Sequence, residues 1–132
     1  MPSLTRWFIR TAAIYLALSL AVGVLQLTSP KLGPILWPTY LHLLVVGWLT
    51  QLIFGVALWM FPRRSREMPQ GKPWLGWSCY GLLNLGLLLR AVGEPARGLG
   101  YGADSVAAAS AILQLGAGWI FVVLIWPRIK ER

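Results

Sequence analysis

The sequence predicts an all-α membrane protein: a single domain, residues 1–132, folded as a bundle of four transmembrane helices with both termini in the cytoplasm. Three observations carry this. Hydrophobic residues make up 57% of the chain and charged residues 12%, against roughly 45–50% and a quarter in soluble domains. The apolar residues gather into four blocks of about 18–22 residues, each long enough to cross a hydrocarbon layer about 30 Å thick. The basic residues fall on alternate connections, the asymmetry that marks the cytoplasmic side.

The first span, residues 8–27, opens with Arg6, Trp7 and Arg10. A basic start before an apolar stretch also marks a secretory signal, but this stretch is too long and no small-x-small cleavage site follows it. Ser29-Pro30, Gly33-Pro34 and Trp37-Pro38 then form a turn-rich connection. The second span, residues 41–61, stops at Pro62-Arg63. Arg63, Arg64, Arg66 and Lys72, with the turn formers Met68-Pro69 and Gly71, make a cytoplasmic loop. The third span, residues 74–92, leads into a connection bearing Gly93, Pro95, Gly98, Gly100 and Gly102, and the fourth, residues 107–126, precedes Arg128, Lys130 and Arg132. The two outer connections hold only Lys31 and Arg97 as cations, with Glu94 and Asp104. The net charge of +8 is thus explained by topology, and no nucleic-acid partner is expected. Six tryptophans, Trp7, Trp37, Trp59, Trp74, Trp77 and Trp126, fall near span ends, where indoles settle at the headgroup level. Trp48 and Trp119 lie deeper and are expected between helices.

Read at every fourth residue, each span shows a stripe of small or polar side chains: Tyr15, Ser19 and Gly23; Gly47, Gln51 and Gly55; Gly76, Tyr80 and Asn84; Ser110, Gln114 and Gly118. Apolar burial gives little drive between helices bathed in lipid, so packing rests on close backbone approach and side-chain hydrogen bonds. The stripes are expected to face the inside of the bundle, with Gln51, Asn84 and Gln114 bonding across it.

The only histidine, His42, lies one turn into the second span. An ionisable residue there costs free energy unless it is hydrogen-bonded or binds something, and imidazole is the commonest metal ligand. At about 100° per residue, Val45, Val46, Leu49, Ile53, Val56 and Met60 follow His42 on one side, and Gly47, Gln51 and Gly55 lie opposite. With the small stripe inward, His42 is expected to face lipid, another subunit or a flat apolar ligand. Arg90, near the end of the antiparallel third span, shares its depth, and Glu94 one turn on is a candidate counter-charge. A histidine in a slot of Val45, Val46 and Leu49, with Arg90 for propionates and Tyr40 and Trp37 at the outer rim, is a workable haem b site. The plain alternative is an imidazole reaching to water at the membrane edge.

The segments Thr39-Tyr40-Leu41-His42-Leu43-Leu44-Val45-Val46-Gly47-Trp48-Leu49 and Ile53-Phe54-Gly55-Val56-Ala57-Leu58-Trp59-Met60-Phe61-Pro62-Arg63 resemble the second transmembrane helix of subunit I of the haem–copper oxidase superfamily, nitric oxide reductases above all. The resemblance covers some 25 residues. It implies that His42 matches the ligand of the low-spin haem. The chain departs from the family in having four spans and no second histidine, so it does not build a binuclear centre, and an enzymatic role is not expected of it. A second histidine ligand then has to come from another copy, as in a homodimer, or from another subunit; otherwise the haem is five-coordinate, with an open site for nitric oxide, carbon monoxide or oxygen, since Met60 and Met68 lie at the wrong side. The expectation is a b-type haem protein of a bacterial or archaeal cytoplasmic membrane, acting in electron transfer, gas or redox sensing, or haem handling. The alternative is a cofactor-free accessory or assembly subunit of a respiratory or transport complex. Zinc sites, phosphate-binding glycine loops and a proton antiporter are not expected, the last because all four acids fall outside the spans.

Overall fold

Long apolar stretches broken only at their ends leave the backbone one way to satisfy its polar groups within a bilayer, which is to coil. In a computed structural model describing residues 1–68 and 71–129, the chain is all-helical among the described residues. Helices α1 (Ser3–Thr28), α2 (Gly33–Met60), α3 (Pro73–Gly98) and α4 (Asp104–Ile125) are joined in that order, and a 3-10 turn, Trp126–Arg128, follows. All four are long and apolar enough to cross a membrane. Pro69, Lys130 and Arg132, assigned from the sequence to a turn and to the basic flank, lie outside the described residues.

Two of the expected connections are much shorter than the sequence implied, because the helices run through prolines read as turn formers. α2 starts at Gly33 with Pro34 in its first turn, where a missing N–H costs nothing. Pro38 sits one turn further on, inside the helix, so its missing donor affects only the first turn. Pro95 lies within the last turn of α3, equally near a helix end. The turn after α3 uses Gly100 and Gly102 at φ of 86° and 64°, backbone that favours glycine.

The helices run up and down. α1 packs along α2 and α3 along α4, while α2 joins the two hairpins and α1 does not pack on α4. The larger core lies toward the end bearing most of the basic residues. Leu4 and Phe8 of α1, Leu58 of α2, Cys79 and Leu83 of α3, and Ala117 and Leu124 of α4 meet there. Phe54 stacks on Phe121 with ring centroids 3.8 Å apart, and Phe8 meets Tyr80 edge-on at 5.2 Å. A smaller cluster of Tyr15, Leu43 and Leu87 lies toward the opposite end.

Most of the small and polar stripe faces inward: Tyr15, Ser19, Gly47, Gln51, Gly55, Gly76 and Ser110 are all buried. At Gly47 a Cβ would come within 2.8 Å of the Tyr15 ring and 2.9 Å of Leu87, and at Gly55 within 2.7 Å of Phe8. These glycines let α1 and α3 close on α2. Two expectations fail. Gln51, Asn84 and Gln114 do not bond to one another: neither amide atom of Gln51 has a partner, and Asn84 donates to the Tyr80 carbonyl of its own helix at 2.8 Å. Cross-helix bonds in the interior include instead Thr11–Tyr80, hydroxyl to hydroxyl at 2.7 Å, and the Cys79 thiol donating to the Ala117 carbonyl at 3.3 Å. Trp119 points outward, 62% exposed, since the α4 face at that height has no helix against it.

Two stability changes follow. Gly47→Leu overpacks the junction of α1, α2 and α3 and lowers stability in detergent by about 1–3 kcal/mol, whereas Gly118→Ala, with nothing within 4 Å of the new Cβ, leaves the melting temperature unchanged or slightly higher. Gln51→Met removes two buried atoms without partners and raises stability by about 1–3 kcal/mol. Thermal melts of the purified variants check both.

Candidate functional site

Three side chains from α2 and α3 converge inside the bundle. The His42 Nδ1 lies 2.8 Å from Glu94 Oε1 and also 2.8 Å from the Pro38 carbonyl, one turn back on its own helix. Arg90 Nη1 lies 3.0 Å from His42 Nε2 and 3.3 Å from Glu94 Oε1. A guanidinium is always protonated and only donates. Arg90 therefore donates to Nε2, so Nε2 carries no proton. The remaining ring proton sits on Nδ1 and is donated to Glu94 or to the Pro38 carbonyl. The triad is neutral as a whole: one cation, one carboxylate and an uncharged imidazole of fixed tautomer.

Depth explains why all three are needed. His42 and Arg90 each lie about 7 Å from the midpoints of their helices at about 1.5 Å of rise per residue, so a hydrocarbon layer centred on the bundle encloses both. A guanidinium at that depth needs an opposite charge and acceptors close by. Glu94 supplies the charge and His42 the second acceptor. The side chains of His42, Arg90 and Glu94 are 31%, 18% and 9% exposed. The expectation that every acid falls outside the spans is thus corrected for Glu94, which α3 carries inward because it continues past Val92 to Gly98, while Asp104 is the first residue of α4.

The inward turn of His42 reverses the outward face expected from regular α-helical periodicity. The cause is local winding. Leu43–Thr50 is wound as a π-helix, in which the backbone bond runs from residue i to i+5 and five residues make little more than one turn. Over such a stretch about 100° per residue no longer sets the bearing of His42, and its ring meets Arg90 and Glu94 of α3. π-turns recur at functional sites, and this one begins at the residue after the histidine.

The other residues expected around His42 are not gathered there. Tyr40 faces α1, its ring against Gly23 and 5.8 Å from that of Trp37, with a hollow of about 330 Å³ beside them. Val45 and Leu49 face outward, 46% and 44% exposed, while Val46 turns inward onto both core clusters. Met60 lies at the far end of α2. Glu94 is the third member, which the sequence marked only as a possible counter-charge for Arg90.

Were a haem held here, His42 Nε2 would meet its iron and Arg90 one of its propionates. Nδ1 anchored to a carboxylate or carbonyl is how proteins orient a metal-binding imidazole through its other nitrogen. Arg90 Nε and Glu94 Oε2 are buried without partners, so the cluster retains unused polar capacity. Arg90 sits on Nε2, however, and neither the hollow beside Tyr40 nor the cleft lined by Leu4, Trp59 and Arg128 includes His42. Axial binding thus requires Arg90 to leave the imidazole. Among the described residues there is no group of three or more His, Cys, Asp or Glu side chains able to hold a metal ion.

No protein-family model matches the chain, and no curated protein or solved structure is similar to it. The contacts make their own prediction. A double-mutant cycle between His42→Leu and Glu94→Gln, read by thermal or denaturant unfolding in detergent, gives a coupling energy of about 0.5–3 kcal/mol; strictly additive losses mean the two side chains do not interact.

Proposed function

We propose that this chain is a small integral membrane haem b protein, with His42 Nε2 as an axial ligand and Arg90 as the partner of a haem propionate. Its setting is a bacterial or archaeal cytoplasmic membrane beside a respiratory chain, with both termini in the cytoplasm as the basic flanks indicate. One observation supports this reading above the rest. Nδ1 is already held by Glu94 and Pro38, and the group on Nε2 is a cation that a propionate can attract away. The resemblance of α2 to the ligand-bearing helix of haem–copper oxidase subunit I adds to it. Bound there, haem supplies a one-electron couple or, with one axial position open, a site for a diatomic gas. With one histidine in the chain, a second histidine ligand would come from a second copy or another subunit.

A second reading has an observation of its own. Both ring nitrogens of His42 are satisfied within the chain, as suits a cofactor-free accessory subunit in which the triad only fastens α2 to α3. The colour of the protein separates the two. From haem-replete cells, the haem reading predicts a Soret band with sharpened reduced α and β bands that is lost in His42→Ala. It also predicts weaker haem retention in Arg90→Leu than in Arg97→Leu, since Arg97 pairs with Asp104 at 2.7 Å in an exposed bridge. A colourless preparation that hemin does not reconstitute overturns it in favour of the accessory role.

A further inference from the structure

At the basic end of the bundle, a cleft of about 620 Å³ opens between the start of α1, the end of α2 and the start of α3. Its wall includes Arg128, which is only 1% exposed. Arg128 reaches back from the turn after α4 to the end of α2, where its Nε donates to the Pro62 carbonyl at 2.9 Å and its Nη2 to the carbonyls of Leu58 and Phe61 at 2.8 and 2.7 Å. It thus caps a helix C-terminus, whose dipole is equivalent to about half a negative charge. No carboxylate among the described residues pairs with it, and its Nη1 is buried without a partner. A buried cation met only by carbonyls retains uncompensated charge, a costly arrangement.

The cleft adds to that charge. Arg63 and Lys72 line it against a single acid, Glu67; both are exposed, and neither side chain makes a hydrogen bond or ion pair among the described residues. Trp59 and Trp77 also line it, which puts it at the depth where indoles meet headgroups. Beside them Leu4, Leu58 and Leu124 make part of the wall apolar. Basic pockets between transmembrane helices take phosphorylated headgroups by this combination of charge and depth.

The geometry points to a phosphate-binding site in this cleft: Arg63 and Lys72 hold the oxyanion, its charge offsets that of Arg128, and the apolar wall accepts an acyl chain when the phosphate belongs to a lipid. The shared chemistry is a phosphate bearing net negative charge, as an anionic phospholipid headgroup or as a free anion. This site is independent of His42 and of the haem reading.

The test uses the delipidated full-length protein in detergent, mixed separately with phosphatidylglycerol, phosphatidylcholine and inorganic phosphate, with lipid retention read by native mass spectrometry and stability by thermal melting. Phosphatidylglycerol is expected to be retained and to raise the melting temperature, and phosphatidylcholine is not. Arg63→Gln with Lys72→Gln, which leaves the Arg128 cap in place, is expected to reduce phosphatidylglycerol retention by about tenfold at unchanged helix content. Arg128→Lys, which keeps the charge but not the forked donors, is expected to reduce retention as well. Equal stabilisation by inorganic phosphate, lost in the same double variant, assigns the site to the free anion. Equal retention of the two lipids, or a double variant that binds like the wild type, overturns the proposal.

Discussion

A guanidinium carried into a hydrocarbon layer has to be answered by the chain that carries it, and the fold around Arg90 is organised by that demand. Glu94, one turn away, cancels the charge, and His42 takes a second N–H from the neighbouring helix. Neither contact alone suffices: the ion pair lies within α3, and only the imidazole ties that pair to α2. The triad is therefore both a charge balance and a fastening between the hairpins. It also leaves the histidine neutral, oriented by Nδ1, and in contact with a group able to exchange one anionic or accepting partner for another.

The bundle itself was legible in the sequence because bilayer thickness imposes a length that composition reveals directly. The four blocks and most of the inward stripe reappear, with Tyr15, Ser19, Gly47, Gln51 and Gly55 buried as their spacing implied. What the sequence misjudged were the helix ends. Proline is a breaker in a helix interior but is tolerated within the first turns, so Pro34 and Pro38 signal a connection in the sequence and yet begin α2 in the fold. The same misjudgement put Glu94 outside the membrane helices.

The site was legible in depth but not in direction. Antiparallel spans bring His42 and Arg90 to one height whatever their rotation, so that pairing followed from counting residues. The face of His42 depended on the winding of Leu43–Thr50, and nothing in Leu43-Leu44-Val45-Val46-Gly47-Trp48-Leu49-Thr50 distinguishes a π-turn from an α-turn. A change of hydrogen-bond step within one helix redistributes the neighbours. Val46 goes to the core, Val45 and Leu49 stay outside, and Tyr40 packs on α1. The two ends of the bundle then differ in how they meet their charge: near His42 the cation is neutralised by Glu94, and at Arg128 it is met, among the described residues, only by carbonyls beside an open cleft.

Because the chain has one histidine, nitrogen-15 NMR of histidine-labelled protein in lipid reports on the central contact without ambiguity. A single neutral tautomer is expected in the haem-free protein, protonated at Nδ1 and bare at Nε2, with the Nε2 signal displaced or broadened when hemin is added. A ring protonated at Nε2, or one averaging freely between tautomers, would contradict the hydrogen bond from Arg90 and with it the availability of Nε2 as a ligand.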